Sequence, residues 1–100
     1  MENTNIDEII DIEEYAKAKK NPPKGKKYKI KVDNTVYVVP EHLTGREILQ
    51  IAGKTPVERF QLNQKMHGGN VKKIKYDEVV DFSTPGIEKF LTIPLDQTEG

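Results

Sequence analysis

The chain contains no cysteine. That absence excludes a disulfide framework, thiolate catalysis and any cysteine-based zinc site, and it suits a reducing compartment. Long apolar runs are missing as well: none approaches the roughly 20 residues needed to cross a bilayer. The N-terminus is acidic where a secretory signal would be basic. The expected location is therefore cytoplasmic, with no membrane partner. Net charge is also lacking, because 16 basic residues balance 16 acidic ones, so no overall field draws in nucleic acid. Lys27, Lys29 and Lys31 form one small basic group and Lys72, Lys73 and Lys75 another, but only Tyr28 and Tyr76 lie among them. Nucleic acid is not an expected partner.

Enzyme signatures are scarce for the same kind of reason. His42 and His67 are the only imidazoles and stand far apart, and neither adjoins Ser83. The paired carboxylates Glu13-Glu14 and Asp77-Glu78 fall in an expected tail and an expected turn, which are poor settings for acid–base work. No metal-ligand spacing occurs. Gly68-Gly69 lacks the strand before and helix after that a phosphate loop requires, so it reads as a turn. The chain reads as a non-enzyme that holds no metal and no cofactor.

What is present begins with residues 43–53. Thr44 and Glu47 have the spacing of a capping box, and Leu43 and Ile48 that of a hydrophobic staple. Ile48, Leu49, Ile51 and Ala52 form an apolar face, and Gly53 is placed to end the helix in the left-handed conformation. A helix of this length is unstable alone in water. It needs a surface to lie on.

The remainder supplies one. Residues 1–15 hold six acids and no base, while 16–31 hold eight lysines and no acid. Such blocks read as a solvated tail, or as a docking segment for a charged partner. A short helix over 5–19 would carry Ile6, Ile9 and Ile10 on one face. Asn21-Pro22-Pro23-Lys24-Gly25 then reads as a linker, which sets a boundary at residue 26 between an N-terminal extension (1–26) and a domain (27–94). Tyr28, Ile30 and Val32 alternate with lysines as a half-buried strand. Asp33-Asn34-Thr35 turns the chain into Val36-Tyr37-Val38-Val39, making a hairpin. With Val36 and Val38 facing inward, Tyr37 faces out.

Beyond the helix, 57–59 fits a single turn and 60–64 a third strand. Residues 71–81 lack clean periodicity and read as short strands or loop. A final strand runs over 87–93, stopped by Pro94, with 95–100 as a free polar tail. With Ile87, Leu91 and Ile93 in the core, Phe90 faces out near the tail. Hairpin, helix, strand, irregular segment and strand make an α+β domain of β-grasp type, a mixed sheet packed on one short helix. The place of the last strand beside the first rests on fold analogy.

Several blocks carry a family resemblance: Tyr28-Lys29-Ile30-Lys31-Val32-Asp33, Tyr37-Val38-Val39, Leu43-Thr44-Gly45-Arg46-Glu47-Ile48-Leu49, Ala52-Gly53-Lys54, Asp77-Glu78-Val79-Val80-Asp81-Phe82 and Gly86-Ile87-Glu88-Lys89-Phe90-Leu91-Thr92-Ile93-Pro94. Together with Ile12-Glu13-Glu14-Tyr15-Ala16-Lys17-Ala18 upstream, the chain resembles the bacterial multiubiquitin domain. The resemblance implies a ubiquitin-like modifier encoded beside E1-like, E2-like and JAB-type peptidase proteins in operons associated with defence against phage. It implies activation of the Gly100 carboxylate by the E1-like enzyme, whose ATP is not bound by this chain, and transfer through the E2-like protein to target amines. Partner contacts are then expected at Phe90, Thr92, Pro94, Leu95 and Tyr37, with Ile6, Ile9 and Ile10 as a docking segment. Two departures stand out. The end is Glu99-Gly100 rather than diglycine, with nothing left to trim, and one domain is present where many relatives carry several in tandem. Two other functions share the fold: a sulfur carrier, which usually ends in diglycine, and a non-covalent binding module, for which Gly100 would be irrelevant.

Overall fold

A two-residue turn sets the register of the sheet in the computed structural model, which describes residues 8–95. Asp33 and Asn34 both take positive φ, 49° and 71°, as a type I′ hairpin requires. Strand β2 (Lys27–Val32) therefore pairs with β3 (Thr35–Val39) so that Val32 meets Thr35, Ile30 meets Tyr37 and Tyr28 meets Val39. Cross-strand partners share a face, so Tyr37 and Val39 point inward with Tyr28 and Ile30. Val36 and Val38 are exposed. The expected parity of this strand is thus reversed: counting Thr35 as part of the turn shifts every partner by one residue, which flips the strand.

The elements that follow are β4 (His42–Thr44), α2 (Gly45–Ile51), a 3₁₀ turn (Val57–Arg59), β5 (Phe60–Met66), β6 (Val71–Ile74), β7 (Val79–Asp81) and β8 (Ile87–Pro94). The main sheet runs β2-β8-β5-β6, with β8 parallel to β2 and antiparallel to β5; β4 and β7 form a separate antiparallel pair. This mixed sheet on one main helix is a β-grasp.

Both ends of α2 behave as read. Thr44 Oγ1 accepts from the Glu47 N–H at 3.1 Å, and Glu47 accepts from the Thr44 N–H at 2.9 Å. At the far end Gly53, at φ 74°, and Lys54 donate to the carbonyls of Gln50 and Leu49, a Schellman motif. Ile48 and Leu49 are fully buried, while Ile51 lies on the outer side of the helix and is exposed. The buried stripe is therefore Gly45, Ile48, Leu49 and the half-buried Ala52, at helical spacing.

Strand β8 departs from expectation at one residue. Lys65 pairs with Lys89, but Met66 pairs with Ile87, which leaves Glu88 as the extra residue of a β-bulge. The bulge puts Ile87 and Phe90 on the same face although they are three apart. Phe90 is fully buried, edge-on to Phe82 at 6.0 Å between ring centroids, and Phe82 lies 6.4 Å from Tyr28. Ile93 is the exposed residue instead.

The N-terminal segment differs most from a solvated tail. Strand β1 (Ile9–Asp11) pairs in parallel with β2, and helix α1 (Ile12–Lys17) follows. Since β3 fills one edge of β2, β1 and β8 share the other, β1 along Lys27–Lys29 and β8 at Val32. Asp11 caps α1 by accepting from the N–H groups of Glu13 and Glu14, at 3.1 and 3.4 Å. Ile10, Ile12 and Ala16 are buried, and Ile10 and Ile12 belong to the main core. Three ion pairs tie the segment to the lysine block: Glu8–Lys26 at 3.6 Å, Asp11–Lys29 at 3.8 Å and Glu13–Lys31 at 3.0 Å. Lys29 and Lys31 face away from the core, and α1 packs against β8 and β2.

Candidate functional site

The described chain leaves the sheet at Pro94 and Leu95, and several elements converge to fix that exit. The Asp33 N–H donates to the Phe90 carbonyl at 3.0 Å. The Asp33 carboxylate accepts from the Thr92 N–H at 2.9 Å and from the Thr92 hydroxyl, with Lys54 Nζ 3.7 Å away. The tight β2–β3 turn thus clamps β8 two residues before it ends. On the opposite side the Leu95 N–H donates to the Arg59 carbonyl at 2.8 Å, extending the β5–β8 pairing past Pro94.

Beside the exit lies a hollow of about 190 Å³ lined by Gln61, Lys73, Ile74, Lys75, Tyr76 and Leu95. The Tyr76 hydroxyl donates to the Phe60 carbonyl at 2.8 Å, and Arg46 stacks over its ring at 5.6 Å. A wider cleft continues from the hollow past Lys73, Lys75 and Tyr76 to Arg46 and Lys72. Two of these cations are paired, Lys72 with Glu78 at 2.9 Å and Arg46 with Glu58 at 3.5 Å. Lys72 holds the Glu78 carboxyl below its usual range.

The expected contact residues divide sharply. Pro94 and Leu95 are exposed at the exit. Thr92 is half-buried and committed to the Asp33 clamp. Phe90 is core, so it offers nothing to a partner. Tyr37 is half-buried against the core rather than outward. In the docking segment Ile10 is buried beside Tyr28 while Ile9 is exposed, so the two cannot share a docking face. Ile6 and Gly100 lie outside the described residues. The hollow was not legible in the sequence; its one signal was Lys73 and Lys75 flanking Ile74 close to a tyrosine.

The fold also gathers groups that sequence distance separates. Ser83 donates its hydroxyl to Asp81 Oδ1 at 2.6 Å, and His42 Nε2 lies 3.3 Å from Asp81 Oδ2. The order is serine, carboxylate, histidine, so the imidazole does not face the hydroxyl and cannot take its proton as a nucleophile's base does. Ser83, through its hydroxyl and N–H, holds the Asp81 carboxyl below its usual range. Glu41 joins His42 and Asp81 with ligand atoms within 4.8 Å of one another. Asp81 is already engaged by Ser83, and the trio ties β4 to β7. A second acid, Glu88 at the bulge, sits 2.7 Å from Lys65 and 3.7 Å from His67 Nδ1. The Lys65 ammonium holds its carboxyl below the usual range. Among the described residues, no helix is long and apolar enough to cross a membrane.

No curated protein and no solved structure gives a significant match to this chain. Residues 28–94 match the family model described as multiubiquitin. That span starts within β2 and ends with β8, so it contains the hairpin, α2 and the exit strand. It is more than half of the chain, and the protein belongs to the multiubiquitin family.

Proposed function

We propose that this protein is a ubiquitin-like modifier conjugated through Gly100. An E1-like enzyme activates it: the Gly100 carboxylate attacks the α-phosphorus of ATP, pyrophosphate leaves, and an acyl adenylate forms. A thiol or hydroxyl on the E1-like or E2-like protein then displaces AMP. A target amine finally displaces that carrier and forms an amide. A JAB-type peptidase would reverse the last step by hydrolysis, and the setting we infer is a bacterial anti-phage system in the cytoplasm. The chain itself contributes no catalytic group.

The observation that carries this reading is the multiubiquitin match over 28–94. It is supported by the geometry of the exit: Asp33 and Arg59 fix β8 from both sides, and Pro94 and Leu95 open to solvent where the tail begins. The test is an ATP-dependent covalent adduct with the cognate E1-like or E2-like protein, for wild type and for a chain lacking Gly100. An adduct that forms equally with both would end the proposal. Intact mass separates the sulfur-carrier chemistry, which exchanges one carboxylate oxygen of Gly100 for sulfur and adds no protein.

A further inference from the structure

Strand β6 is the last strand of the main sheet, and among the described strands it pairs with β5 alone. That pairing decides which backbone groups are left over. The Met66 N–H donates to the Asn70 carbonyl at 2.8 Å, and hydrogen-bonded pairs alternate along an antiparallel ladder. They therefore fall at Lys72 and Ile74, and the N–H and C=O groups of Val71 and Lys73 point away from β5. Val71, Lys72 and Lys73 are exposed. This open edge runs into the hollow, which Lys73 and Lys75 share with Ile74, Tyr76 and Leu95. Neither of those two lysines has an ion-pair partner among the described residues, whereas the neighbouring Lys72 and Arg46 are both paired.

We propose that β6 accepts a further strand from a partner protein, an extended segment carrying acids and an aliphatic side chain. Its backbone bonds to Val71 and Lys73, its carboxylates meet Lys73 and Lys75, and its aliphatic side chain enters the hollow beside Tyr76 and Leu95. An added strand gains affinity from main-chain bonds and specificity from the side chains next to it. Charge chooses the occupant. Lysines on an edge strand repel another basic edge, so a second copy of this chain, which would set Lys72 and Lys73 against their counterparts, is disfavoured. An acidic strand turns the same repulsion into attraction. The apolar part of the hollow then separates this partner from a plain polyanion. The proposal does not depend on conjugation at Gly100, and its test contains no conjugating enzyme.

The probe is a short blocked peptide that combines glutamates with leucine, titrated into the full chain at low salt and followed by amide signals. Two control peptides replace its glutamates with lysine or its leucine with serine. With the probe, the signals of Val71, Lys73, Lys75 and Tyr76 are expected to shift most. Amide exchange at Val71 and Lys73 should slow severalfold, because these N–H groups gain acceptors. Lys73→Glu and Lys75→Glu together should weaken binding about tenfold, and the lysine peptide should then bind that variant in place of the probe. Both lysines are exposed, and unchanged signals from Phe82 and Phe90 confirm that the variant is folded. A probe that binds no better than either control, or that leaves exchange at Val71 and Lys73 unchanged at saturation, would overturn the proposal. So would shifts along β6 that grow with protein concentration alone, since the edge would then pair with a second copy.

Discussion

Glu13 Oε1 stands 3.0 Å from Lys31 Nζ, joining helix α1 to an outward lysine of β2. The three ion pairs of this segment each link residues eighteen positions apart, as parallel pairing of β1 with β2 demands. The described acids Glu8, Asp11 and Glu13 are therefore complementary to Lys26, Lys29 and Lys31, and these three lysines are engaged within the domain. The energetics lie elsewhere, in the burial of Ile10 and Ile12. Ile10→Ala and Ile12→Ala are each expected to cost about 2–5 kcal/mol in chemical denaturation. Glu13→Gln, which leaves the packing intact, should cost less than about 1 kcal/mol. Equal small effects from all three would mean the segment does not belong to the core.

Acid should destabilise the fold through its paired carboxylates. Glu13, Glu78, Asp81 and Glu88 all have lowered folded-state pKa values, caused first by hydrogen bonds from Lys31, Lys72, Ser83 and Lys65 respectively. A depressed carboxyl contributes stability above its unfolded value, near about 4, and loses it as pH falls through the lower folded value. In that window the unfolded chain binds more protons, so stability rises with pH. Urea midpoints should thus decline from about pH 5 downward, and Glu88→Gln should flatten the decline. A midpoint independent of pH in that range would contradict the assignment.

The inversion of β8 and β3 makes a direct contrast. Phe90→Ala is expected to cost about 3–5 kcal/mol, because the ring is enclosed against Phe82. Val38→Thr, on the outer face of β3, should change stability by less than about 0.5 kcal/mol. Thermal or denaturant melts of the two variants decide it, and the outward reading of Phe90 would require the opposite order.

The clamp at the exit should be measurable as a coupling. Asp33→Ala and Thr92→Val each break the contact between the hairpin turn and β8. A double-mutant cycle is expected to give a coupling of about 1 kcal/mol, with neither change reaching the core. Additive effects would show that the two groups act independently.

How far the fold was legible depended on whether a signal was local. The α2 caps, with donor and acceptor three residues apart at Thr44 and Glu47, were readable because the partners are neighbours in sequence. So were the hairpin and the exit strand. Strand parity was less secure, because one residue decides it: assigning Thr35 to the turn flipped β3, and the Glu88 bulge flipped β8 relative to a strict alternation. The short helix expected over 5–19 is present as α1 over Ile12–Lys17, but β1 and its pairing with β2 were missed because the partners lie across a proline-rich stretch, although the charge blocks, read as mutually complementary, pointed to it. Of the candidate site, Pro94 and Leu95 were legible as the exit. The hollow was not, since it joins β5, β6 and the end of β8.

Gly45 is the position at which the helix depends on a distant backbone. A Cβ there would overlap the Lys75 carbonyl oxygen and press on Ile74 at 3.1 Å. The close approach lets the first N–H groups of α2, at Gly45 and Arg46, donate to the carbonyls of Glu78 and Tyr76 at 3.0 and 2.9 Å. Those donors would otherwise have no partner within the helix. Gly45→Ala therefore displaces the 75–78 segment and strips the helix start of its acceptors, and about 2 kcal/mol or more should be lost. Gly53 offers the control. Its φ is 74° with open space around the Cβ position, and asparagine tolerates that conformation, so Gly53→Asn should cost less than about 1 kcal/mol. Thermal melts of the two variants, compared with wild type, test the difference, and a Gly45→Ala protein as stable as wild type would refute the steric account.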